Sequence, residues 1–163
     1  MKKQKKRNKA FNPNKHRVEV NAAFKTINLA KPVSDEAKVL LNEQIHAALA
    51  AITRGAGTPE HFDVLASTVD VVFMMGMNLF NDAYKSEIDA ARKAMFRLKD
   101  RFHKHSTFGF DGVGYKAVAE IVAIHDQMMG HVTGSEVLQF MNARANAIKG
   151  GNFYKSEHER LAA

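Results

Sequence analysis

Apolar positions along this chain recur at helical spacing in five blocks separated by Gly, Pro and Asn. The densest is FDVLASTVDVVFMMGMNLF at 62–80, interrupted only by Asp63, Ser67, Thr68, Asp70 and Asn78. Glu60, Asp63, Ser67 and Asp70 fall at i, i+3, i+7 and i+10, one narrow polar stripe on a helix that is otherwise apolar. Past Asp70 the stripe runs into Met74 and Met77, so the helix becomes apolar all round. Such a helix lies at the centre of a bundle or is covered by a partner. Its aspartates argue against a membrane span. Solvation of one face accounts for the stripe. Asp70 is the carboxylate expected to be partly buried, and it could pair with a base from another helix or line a contact surface.

The other blocks predict four more helices. The first begins after Ser34 as N-cap, with Asp35 and Glu36 in its first turn. It buries Leu41, Ile45, Ala48 and Ile52, widened by Leu40 and Leu49, and stops at Gly55. The central helix starts at Thr58-Pro59-Glu60, and a break is expected within 76–83. The third covers about 83–104, with Tyr84, Ile88, Ala91, Met95, Leu98 and Phe102 on one face. In the loop 106–112, Phe108 and Phe110 tuck inward. The fourth runs from about 113 to 129 on Val118, Ile121, Val122 and His125. The fifth opens on the capping box Thr133…Glu136, carries Val137, Leu138, Met141, Ala145 and Ile148, and ends at Gly150-Gly151. No alternating strand pattern and no repeat is visible. The expected fold is all-α: a compact antiparallel bundle of about five helices over 34–151, with a basic disordered N-terminal arm. Residues 1–17 form that arm, 18–33 an extended segment packing on the bundle, and 152–163 a C-terminal tail.

Charge changes the picture. The net charge of +7 is unevenly placed. Lys2, Lys3, Lys5, Lys6, Arg7, Lys9, Lys15 and Arg17 are eight cations with no acid among them, and the remaining residues hold 16 basic against 17 acidic side chains. A basic arm on a near-neutral body suits attraction to nucleic acid or an acidic surface; it also suits a merely solubilising terminus. A second basic cluster, Arg92, Lys93, Arg97, Lys99, Arg101 and Lys104, occupies the end of the third helix, where cations also complement the helix dipole.

Candidate chemistry is thin. With no cysteine there is no disulfide framework and no thiolate ligand. His103 and His105, the dipeptide His125-Asp126, and Glu43-x-x-His46 each carry part of a metal motif without the further ligands it needs, so no metal and no cofactor is expected. The segment 109–114 is glycine-dense but follows no strand. An enzyme is not expected. The methionines are core fillers or an adaptable contact surface. On the second reading Met74, Met75, Met77 and Phe80 form a protein interface, possible in a homodimer.

The segments KKQKKRNKAFNPNKHRV, IHAALAAITRGAGTPEHFDVLASTVDVV, AYKSEIDAARKAM, RFHKHSTFGFDG and IHDQMM together resemble a group of small uncharacterised accessory proteins of tailed bacteriophages and prophages of proteobacteria. The resemblance spans most of the chain, though MGMNLFNDAY replaces a shorter, glycine-richer link. It implies an accessory protein acting in the cytoplasm of the bacterial host, and it carries over no functional residue. The leading expectation is binding of nucleic acid or a nucleoprotein complex through the arm, helped by the six cations of the third helix. The alternative is a helical module that binds and inhibits a host protein, a defence or transcription component. A virion role is a weaker third. No membrane is expected.

Overall fold

A computed structural model describes residues 31–150. The cations of 1–17, the rest of the segment 18–30 and the tail beyond 150 lie outside the described residues.

Among the described residues, local chemistry starts four of the five helices. Helix α1, Asp35–Thr53, begins where the Ser34 hydroxyl accepts from Ala37 N–H, and it ends before Gly55 at φ +73°. Helix α2, Pro59–Leu79, is capped by Thr58. Its reciprocal partner is His61, whose Nδ1 accepts from the Thr58 N–H at 3.2 Å, a role that glutamate usually fills. Helix α4, Gly112–Met128, starts at Asp111, which accepts from Gly114 N–H. Helix α5, Gly134–Lys149, has the predicted box: Glu136 Oε2 accepts from the Thr133 N–H at 2.8 Å. Helix α3, Lys85–His105, has no side-chain cap.

The chain is therefore an all-α bundle, and α2 is its axis, packing against each of the other four helices. By length and hydropathy α2 would also serve as a membrane span. Its surroundings identify a core helix instead. Leu65, Val69, Val72 and Met75 are wholly buried, among Ile52 of α1, Met95 and Leu98 of α3, and Val118 and Ile121 of α4. Asp70 does not sit on a solvated stripe. It is 0% exposed, and Arg144 Nε donates to its Oδ2 at 3.0 Å. Solvation of one face explains Asp63 but not Asp70.

One end of the bundle is closed by an aromatic stack. The Phe108 ring lies 4.1 Å from Phe102 and 5.4 Å from Phe62, centroid to centroid. The α1–α2 turn rests on it because residue 57 is glycine: a Cβ there would come within 2.9 Å of Phe108 Cβ and 2.7 Å of Ile52 Cγ1. Phe108 is buried and Phe110 half-buried, as expected. Elsewhere, Val33 N–H donates to Val132 O and Gly134 N–H to Lys31 O, clasping the start of the described chain onto the α4–α5 turn.

Three stripe positions differ from expectation. Leu40 and Ile148 are 52% and 46% exposed. Tyr84 is not in α3 at all. It precedes that helix at φ +65°, after Asn81 and Asp82, which are also left-handed. The break expected within 76–83 comes after Leu79, and Gly76 stays within α2. It lets the corner fold back, with Asp82 N–H donating to Gly76 O and Ala83 O only 3.1 Å from where a Cβ would stand.

Candidate functional site

Six cations occupy 92–104 of α3, nearly half of the 13 Lys and Arg in 31–150, which face 14 acids. At about 100° per residue they separate into two flanks. Lys93, Arg97, Arg101 and Lys104 follow one line, which also carries the exposed Asp100, while Arg92 and Lys99 lie about a third of a turn away. Arg92 is committed to the fold: its guanidinium sits 4.7 Å from the centroid of the Phe73 ring. Lys99 is half-buried. The six do not form one face, and the stripe of four is the exposed part.

Two members of that stripe are held in place. Arg97 Nε and an Arg101 terminal nitrogen each lie 3.4 Å from Asp111 Oδ2, and Arg101 also donates to Gly109 O. These contacts tie the end of α3 to the first turn of α4. The Gly114 N–H, with both guanidiniums adding to it, holds the Asp111 carboxyl below the ordinary carboxylate value. One acid thus serves two cations and a helix cap together. Both guanidiniums remain more than a third exposed. Lys93 and Lys104 are exposed and extend the line at each end. From Lys93 to Lys104 the helix rises about 16 Å.

Of the four predicted contact residues at the end of α2, Met77 is 55% exposed and Met74 and Phe80 are half-buried. Met75 is fully buried in the core, so it cannot belong to a contact surface. Leu79 and Tyr84, each 39% exposed, take its place at that corner. Periodicity puts Tyr84 on the α3 stripe, and the left-handed turn at Asn81, Asp82 and Tyr84 takes it off.

The histidines and acids that resembled metal motifs do not converge. Among the described residues no group of three or more His, Cys, Asp or Glu side chains could hold a metal ion. His103 and His105 are exposed at the end of α3, and Glu43 faces solvent. His46 and Asp126, 80 residues apart, do meet: Nε2 and Oδ2 are 3.1 Å apart across α1 and α4. The neighbouring His125 is 5% exposed, its Nδ1 3.5 Å from Asp126 Oδ1. Burial pushes its pKa below the ordinary 6.5, with Asp126 opposing. Burial thus favours the neutral form of an imidazole that is sealed into a helix seam.

Comparison of the chain with protein-family models, with curated proteins and with solved structures finds no match.

Proposed function

We propose that this is a non-enzymatic accessory protein that binds the sugar–phosphate backbone of nucleic acid through Lys93, Arg97, Arg101 and Lys104, together with the cations of residues 1–17. The observation that carries the reading is the alignment of those four side chains on one exposed line of α3. A nucleic-acid strand of a duplex carries one phosphate per about 3.4 Å of axis, so a line of about 16 Å runs alongside about five of them. The stripe holds no aromatic anchor and no arrangement of donors aimed at base edges. Recognition of this kind is electrostatic, tolerant of sequence and steep in salt. A role in the cytoplasm of a bacterial host, which the phage-type resemblance implies, suits that chemistry.

The test is fluorescence anisotropy of labelled duplex and single-stranded oligonucleotides over a salt series. The intact protein is compared with a chain lacking residues 1–17 and with Lys93→Gln/Lys104→Gln. Weaker binding and a shallower salt dependence in both variants support the proposal. Binding that neither variant changes overturns it.

A further inference from the structure

We infer that the α2–α3 corner is the contact surface for a second copy of this chain, related to the first by a two-fold axis. Three observations meet there. Met77 near the end of α2 is 55% exposed, and Leu79 and Tyr84, which flank the turn, are each 39% exposed. Beside them lies a cleft of about 220 Å3, floored by Phe73, Met77 and Ile88. The turn itself holds Asn81, Asp82 and Tyr84 in left-handed conformations. Asparagine and aspartate tolerate this region, but a tyrosine there costs on the order of the strain found at functional sites.

The rim of the cleft indicates the occupant. It carries Asp82 and Asp89 together with Lys85, both signs on one small patch. A polyanion would meet the two acids, and a uniformly basic partner would meet the lysine. A two-fold contact is different, because the same patch faces itself and must be self-complementary. Lys85 and Asp89 stand one turn apart on the same side of α3. Laying the starts of two α3 helices antiparallel sets Lys85 of each copy against Asp89 of the other. Glu87 points to the opposite side of the helix, so it does not meet its own equivalent at the axis. Met77 and the cleft it lines with Phe73 and Ile88 are then covered across that axis.

Sedimentation equilibrium of the full chain across the micromolar range tests this. The expected result is a reversible dimer that Met77→Glu weakens. Lys85→Glu weakens it by about tenfold, because a two-fold contact meets each change twice. Lys85→Glu/Asp89→Lys restores it, because the swapped pair is again complementary. Met77, Lys85 and Asp89 all lie outside the core, so thermal melting of the dilute monomer stays unchanged and confirms folding. A monomer at every concentration overturns the inference. So does a dimer indifferent to Met77→Glu and Lys85→Glu, or a double variant no stronger than Lys85→Glu. The readout is independent of polyanion binding, so either proposal can fail alone.

Discussion

Arg144 Nε donates to Asp70 Oδ2 at 3.0 Å, joining residues 74 positions apart across α5 and α2. The carboxylate is sealed from solvent, and the guanidinium side chain is 19% exposed. This pair joins α5 to the central helix, with the Asp63 carboxylate of α2 also within reach of the Arg144 charge.

Removing one partner should cost far more than removing both. Arg144→Met leaves a charge stranded in the core and should lower unfolding stability by about 3 kcal/mol. Asp70→Leu/Arg144→Met should recover more than half of that loss, because both charges of the buried pair are gone together. Urea midpoints for the three chains provide the check.

His125 gives the stability a pH dependence of known sign. Its folded value lies below 6.5, so folding favours the neutral ring. The stabilisation is complete above the unfolded value of about 6.5 and is lost as pH falls through the lowered folded value. Urea midpoints should therefore drop between about pH 7.5 and pH 5, and His125→Leu should flatten that part of the profile. Asp126 and His46, which face the same seam, remain in both chains.

Asp111→Ala should separate stability from binding. The change removes the α4 cap, at a cost of about 1 kcal/mol. It also takes away the acid that Arg97 and Arg101 share. Polyanion affinity at low salt should rise although the fold is weaker. A fall in affinity would show that Asp111 is needed to aim the two arginines.

Lys93 and Lys104 hold up nothing in the fold, so they report on binding alone. Replacing both with glutamine should make the slope of log K against log salt on duplex DNA shallower by about 1.8, which is about 0.9 for each phosphate no longer neutralised. Circular dichroism of the variant should match that of the parent.

The helices were legible because caps and periodicity are local signals. Ser34, Thr58 and Thr133 announce their own helices, and the apolar density of 62–80 marks the axis of the bundle. What the sequence hides is direction. The six cations of α3 read as one cluster, yet Arg92 turns inward to Phe73 while Arg97 and Arg101 turn to Asp111. Tyr84 fits the α3 stripe by number and leaves it because three left-handed residues reset the chain. Met75 and Met77 are two residues apart, and one is core while the other is surface. The Asp111 cap had a signal of its own, an aspartate three residues before Gly114 at the start of an apolar run. The meeting of His46 with Asp126 had none, since nothing local connects positions 80 apart.

The clasp of residues 31–33 on the α4–α5 turn fixes where the leading segment is moored. Arg17 stands 14 residues before Lys31 and so lies within about 50 Å of that mooring. On the binding proposed here, two modest grips on one polymer are thus joined by a fixed length of chain. Once either has hold, the other finds its ligand at an effective concentration on the order of millimolar. On the binding proposed here, avidity across the leash, rather than the strength of either grip, sets how long the protein stays on a strand.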